Sequence, residues 1–455
     1  MTWANKIAFF LIGAIVIFTT IAYGTVHQPV LAVFYILVAL VVVLWAVDGY
    51  RSRELRVSGS LLPFALLGAA VYGLIQVIPF GTFTDATGID VPLTISLDPF
   101  ATKVSALHFF ALFLLFSVAL VLLDSASRIR KLAVLIAVFG FAYAFFAILQ
   151  SVLSPLKIYG IYEAGAPFGS FVNRHNFAAY MEMAMALPLG LMFAGAVTKD
   201  KRLLYITVIG LMGVALLLSG SRGGLVAFVA QIIFLVMLTA GSRGKAQVGL
   251  RLALGALLLV AIVGGAIFVG GETSLTRFAD TAAAEDVTTG RSNIWQVTLQ
   301  VIMGNLPFGA GFGAFGVAYT VHDSMSGLER VEQAHNDYLQ ILADAGIVGL
   351  SIGAFFLWRL ILQGREAVSI SNRYRRGIAI GALAGIFSIL VHSAFDFVLH
   401  TTAVSVLFLM LLSLLTASLR SYDDDVEDVP RERVRGGASG KVSSISSVRG
   451  RSRSR

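Results

Sequence analysis

The sequence predicts an all-α polytopic membrane protein with about twelve spanning helices and one large extracytoplasmic loop containing short helices. Three observations carry that prediction. Mean hydropathy is +0.84 and charged residues make up only 13% of the chain, far from the composition of a soluble protein. Apolar runs of roughly 17–25 residues, the length that crosses a bilayer, recur from end to end. The basic residues are then distributed very unevenly between the two sides those runs define.

The runs lie at about 7–23, 30–47, 61–80, 104–123, 132–153, 175–195, 203–219, 224–240, 246–270, 336–363, 377–397 and 402–419. The first follows Lys6, as a signal peptide would, but no small-residue cleavage site comes after it, so it reads as an uncleaved first helix. The expected organisation is nine spans within 1–270, a polar outer loop over 271–335, three spans within 336–420, and a tail over 421–455. That tail runs through Asp423-Asp424-Asp425 to a Ser/Gly/Arg-rich end, a composition that buries no core and predicts disorder beside anionic headgroups.

Placing the N-terminus inside leaves only seven of the 34 Lys/Arg facing outward: Lys103, Lys157, Arg174, Arg222, Arg277, Arg291 and Arg330. This obeys the positive-inside rule, so both termini are expected in the cytoplasm and 271–335 outside. The net charge of +8 reflects the same bias and does not call for a nucleic-acid partner. Zero cysteines exclude disulfides, thiolate zinc sites and a cysteine nucleophile.

The polar features worth weighing collect on the outward side. Ser219-Gly220-Ser221-Arg222-Gly223-Gly224 is a very short connection between the seventh and eighth spans. Arg222 offers a planar fork suited to phosphate oxygens, and the glycines let a bulky group approach the backbone. Gly290-Arg291-Ser292-Asn293-Ile294-Trp295 opens a helix predicted to reach about Met303, lying in the interface with Trp295 as anchor and Arg291 in its first turn. The Gly309-Ala310-Gly311-Phe312-Gly313 segment lacks the strand–helix context of a nucleotide loop and is expected to be a flexible connection.

His335 stands just before the tenth span, where its imidazole can take a proton near neutral pH. Asn336 or Asp337 can cap that helix, with Asp344 about two turns further in. In the eleventh span, His392, Asp396 and His400 fall at i, i+4, i+8, on one face of a continuous helix. Eight residues rise about 12 Å, too far for both histidines to share one ion, so a buried hydrogen-bond network is expected there and no metal site. Asn173-Arg174-His175-Asn176 opens the sixth span in the same half of the membrane.

Together these pieces resemble the O-antigen ligase and Wzy polymerase family of bacterial polysaccharide assembly. The matching segments are Phe171-Val172-Asn173-Arg174-His175-Asn176-Phe177, Ser221-Arg222-Gly223-Gly224, Arg291 with Trp295, and the Gly-Ala-Gly-Phe-Gly segment. His335-Asn336-Asp337-Tyr338-Leu339-Gln340 with Ala345-Gly346-Ile347, and His392-Ser393 with Phe395-Asp396, complete them. One departure is Asp344, where the family often carries Glu.

The resemblance implies a metal-independent, inverting glycosyltransferase without cofactors, in the bacterial inner membrane and acting on its periplasmic face. It implies a glycan donor on polyprenyl (undecaprenyl) diphosphate, with Arg222 and Arg291 on the diphosphate, Arg174 assisting, and His335 as general base. Asn336, Asp337, Asp344, His392 and Asp396 are the expected supporting residues. Within the family the acceptor could be lipid A–core, a glycan repeat or a protein hydroxyl, and ligation to lipid A–core is favoured. From another class, twelve spans with scattered polar groups also suit a transporter or flippase for lipid-linked glycans, although such sites belong near the midplane.

Overall fold

The computed structural model describes residues 2–85, 87–240, 255–256, 291–323 and 330–420. Among them are thirteen α-helices: α1 (Trp3–Ile21), α2 (Gln28–Ser52), α3 (Pro63–Gln76), α4 (Pro99–Leu122), α5 (Ala126–Leu153), α6 (Arg174–Phe193), α7 (Arg202–Leu218), α8 (Arg222–Ala240), α9 (Arg291–Asn305), α10 (Phe315–Thr320), α11 (Asp337–Ala367), α12 (Arg373–His392) and α13 (Thr402–Ser418). Eight of these are long and apolar enough to cross a membrane: α1, α2, α4, α5, α7, α8, α11 and α12. The chain is an all-α polytopic membrane protein. The apolar run 246–270 lies outside the described residues apart from 255–256, as do 271–290 and the tail from 421.

Local chemistry sets the helix starts. Asp98 and Ser125 accept from the backbone N–H groups of Ala101 and Arg128, capping α4 and α5. Asn173 and Asn336 do the same for α6 and α11. Pro63 and Pro99 sit in the first turns of α3 and α4, where a missing N–H costs nothing.

The two helices that carry the fold's centre are α6 and α13, whose residues are buried almost throughout. Close packing of α6 against α12 is set by small residues. A Cβ on Gly190 would come within 2.4 Å of the Gly377 carbonyl oxygen and the Gly381 Cα, so these backbones touch. With its polar residues enclosed by neighbours, α6 needs no uniformly apolar surface.

Three expectations change. The third run was expected over 61–80, but α3 stops at Gln76, about 21 Å long. The chain continues as an antiparallel hairpin of β1 (Gly81–Thr84) and β2 (Asp90–Leu93); a second small hairpin, β3 (Lys157–Ile158) with β4 (Tyr162–Glu163), precedes α6. The eleventh run was expected over 377–397, but α12 ends at His392, and irregular chain over 393–401 leads to α13. His392, Asp396 and His400 therefore do not share a helix face.

The irregular backbone between α12 and α13 is satisfied by the protein itself. Ser393 O accepts from Asp337 N at 2.8 Å, Ala394 O from Asn336 Nδ2 at 3.0 Å, and Phe395 O from Arg291.

The third change concerns the glycine segment 309–313, which is firmly built in. Ala310 N and Gly311 N donate to the carbonyls of Ala343 and Asp344 at 2.8 and 2.9 Å, and Thr102 Oγ1 donates to Phe312 O at 2.8 Å. Gly311 has φ +108, and a Cβ there would stand 2.4 Å from Ser96 Oγ. The partner stretch of α11 breaks at Gly346 (φ 56, ψ −141), where a Cβ would meet Pro307 O at 2.1 Å.

Candidate active site

Asp396 is the hub. Its carboxylate is 2% exposed and four groups converge on it. His335 Nδ1 lies 3.1 Å from Oδ1, which also accepts from Phe397 N at 3.0 Å. Arg291 Nη2 donates to Oδ2 at 3.1 Å, and His175 Nδ1 stands 3.6 Å from the same oxygen. Burial alone would raise the Asp396 carboxyl, but the His335 hydrogen bond and the Arg291 charge outweigh it and hold it well below the usual carboxylate range.

A carboxylate only accepts, so His335 Nδ1 must carry the hydrogen of that bond. In the neutral ring this leaves Nε2 as the basic nitrogen. Phe397 stacks edge-on to the imidazole, with ring centroids 4.8 Å apart, and the His335 side chain is 30% exposed. The ring is thus held at Nδ1 and packed on Phe397 while remaining part-exposed.

The backbone of His335 is held as tightly as its ring. Its φ of +50 is left-handed, which costs an ordinary residue about 1–2 kcal/mol. The flanking peptides enforce it. Ala334 N donates to Gln340 Oε1 at 2.7 Å, and Ala334 O accepts from Trp295 Nε1 at 3.0 Å. The indole N–H of Trp295 ties α9 to the chain entering α11. The apolar face of α9, Val297, Val301 and Ile302, packs with Phe315 and Tyr319 of α10 and with Ala343 of α11.

Asn336 caps α11 by accepting from Tyr338 N and Leu339 N at 3.0 and 3.1 Å. Asp337 instead turns to the 393–401 segment: Ser393 Oγ donates to it at 2.7 Å and His400 Nδ1 lies 3.1 Å away. Although burial opposes it, that carboxylate raises the His400 imidazole above its ordinary value. Asp344 accepts from Gln340 Nε2 at 3.1 Å and from Gly313 N at 3.4 Å. It therefore braces the residue that fixes Ala334.

The turn before α8 supplies the second half. Ser221 Oγ lies 2.9 Å from His175 Nδ1 and 3.5 Å from His392 Nε2, and accepts from Gly224 N at 3.1 Å. Arg222 follows directly, with Nη1 buried and lacking a hydrogen-bond partner among the described residues. A Cβ on Gly220 would meet Arg174 Nη1 at 3.6 Å, which puts the Arg174 guanidinium over the same turn. His335, Arg291 and Asp396 thus form one contact group, which His175 joins at 3.6 Å from Asp396 Oδ2, and Arg174 and Arg222 are the chain neighbours of His175 and Ser221.

His392 pairs with Glu182 of α6, Nδ1 to Oε1 at 2.9 Å, both side chains fully buried. Sequence reasoning gave no role to His175, Ser221 or Glu182. His175 and Ser221 lie in two of the family-like segments, and Glu182 is a lone carboxylate two turns inside a span.

Residues 207–353 match the family model described as O-antigen ligase. The matched stretch contains Arg222, Arg291, His335, Asn336, Asp337 and Asp344, and excludes Arg174, His392 and Asp396. No curated protein matches the chain.

Proposed function

The chain carries the O-antigen ligase family domain, a glycosyltransferase-like membrane enzyme of the ligase or polymerase kind, and from that premise we propose its reaction. It transfers a glycan from polyprenyl (undecaprenyl) diphosphate to an acceptor hydroxyl on the periplasmic face of the bacterial inner membrane, with lipid A–core as the favoured acceptor. In this reading the chain crosses the membrane about twelve times, with both termini on the cytoplasmic side and residues 271–335 on the periplasmic side. The observation that carries the reading is the His335–Asp396–Arg291 group, with His175 linking it to the turn that carries Arg222 and has Arg174 Nη1 beside Gly220.

In this reaction His335 Nε2 takes the acceptor hydroxyl proton as the oxygen attacks the anomeric carbon from the face opposite the diphosphate. The new glycosidic bond forms as the sugar–phosphate bond breaks, inverting the anomeric centre. Charge grows on the departing lipid diphosphate, where Arg222 and Arg174 receive it, joined by the N–H groups of Arg291 that face away from Asp396. Fixed cations in a partly dry site lower that barrier most, because they need no reorganisation during reaction. The diphosphate supplies the driving force, so no ATP is required, and the arginines take the place of a divalent cation in this reading. Asn336, Asp337, Asp344, His392 and Asp396 support the geometry.

The test is reconstitution of the full chain with a polyprenyl-diphosphate glycan, offering lipid A–core, free glycan or peptide separately in the presence of EDTA. A glycosylated lipid A–core is the expected product. Movement of the lipid-linked glycan across vesicles with no new glycosidic bond would overturn the reading.

A further inference from the structure

We propose that Glu182 and His392 form a buried positioning pair that sets the Ser221–Arg222 turn and the His175 ring beside Asp396. The inference rests on the functional reading for its consequence, but its geometry stands apart from it.

Three elements meet at this pair. Glu182 comes from the middle of α6, His392 from the last turn of α12, and the turn joins α7 to α8. His392 uses both ring nitrogens, Nδ1 towards Glu182 at 2.9 Å and Nε2 towards Ser221 Oγ at 3.5 Å. Ser221 Oγ passes the contact on to His175 Nδ1 at 2.9 Å, and His175 faces Asp396 Oδ2. A side-chain chain thus runs from the bundle interior to the carboxylate that holds His335.

The paired glycines fit this role. A Cβ on Gly223 would stand 2.9 Å from His392 Cδ2 and 3.0 Å from Nε2; one on Gly224 would stand 3.1 Å from Glu182 Oε1. These glycines leave room for the pair, together with Ala178 Cβ, 2.8 Å from a Cβ on Gly224, and Phe395 Cβ, 3.1 Å from one on Gly223. The pair presses against the backbone immediately after Arg222, so the guanidinium's starting direction follows from where the pair sits.

A buried charged pair adds little stability over well-packed apolar side chains of similar size, so the consequence to test is what the pair positions.

The experiment uses the full-length protein in bilayers, with nitrogen-labelled histidine and undecaprenyl diphosphate as the binding probe. Glu182→Gln should displace the His175 imidazole resonance, identified by its loss in His175→Asn, and weaken probe binding about tenfold, the scale of a lost charged hydrogen bond. Glu182→Asp should recover part of both effects. A folded Glu182→Gln protein whose His175 resonance matches wild type overturns the proposal. His392→Gln serves as the second variant if Glu182→Gln does not fold. Should wild type fail to bind the probe while the resonance still moves, the lipid-diphosphate reading falls and the positioning role stands.

Discussion

His335 and Arg291 bind opposite oxygens of one carboxylate: His335 Nδ1 meets Asp396 Oδ1 and Arg291 Nη2 meets Oδ2, each at 3.1 Å. The proposed base and a proposed cation are therefore not independent. Whatever fixes Asp396 fixes both, and Asp396 is carried by the 393–401 connection between α12 and α13.

Replacing Asp396 with Asn tests that coupling. The amide can turn its NH₂ towards His335 Nδ1, which moves the ring hydrogen to Nε2 and disables the base. Turnover should fall about 10²–10⁴-fold, the range general-base assistance commonly supplies. Steady-state kinetics of the reconstituted variant, with folded yield checked by size exclusion, measure it.

Trp295→Phe keeps an aromatic ring but strips the donor from Ala334 O. Leaving that carbonyl unpaired should cost about 1–3 kcal/mol of stability and loosen the left-handed backbone of His335. Thermal unfolding in detergent reads the first effect, and turnover per folded molecule reads the second.

His400 gives a pH signature. Its folded value is raised by Asp337, so the pair's stabilisation is fully present below the unfolded imidazole value of about 6.5 and is lost as pH rises through the raised folded value. His400→Gln should therefore lower the melting temperature more at pH 6 than at pH 9. An equal loss at both values would contradict the assignment.

Gly346→Ala probes the brace between α11 and the glycine segment. With φ +56 and Pro307 O 2.1 Å from the new Cβ, the backbone must shift, at a cost of about 1–3 kcal/mol or more. Loss of folded protein on expression is the expected outcome, whereas Gly353→Ala, which meets nothing within 4 Å, should be tolerated.

Eleven of the twelve apolar runs coincide with described helices, because length and hydropathy are what a bilayer selects for. The places where the sequence misled are those where tertiary contacts override that rule. Residues 393–397 look like the end of a helix, yet Asp337 N, Asn336 Nδ2 and Arg291 hold their carbonyls in an irregular path. The 309–313 glycines look flexible until Ala343 and Asp344 are seen to accept their N–H groups. His335, Arg222 and Arg291 were legible as charged or titratable groups in an apolar chain. Asp396 as the organiser of His335 and Arg291 was not, since these partners lie 61 and 105 residues away.

The most direct measurement is glycan transfer by reconstituted His335→Ala protein that is folded and still binds the polyprenyl-diphosphate donor. The account predicts a fall in turnover of about 10²–10⁴-fold with donor affinity little changed. Transfer at the wild-type rate would contradict the assignment of His335 as the base.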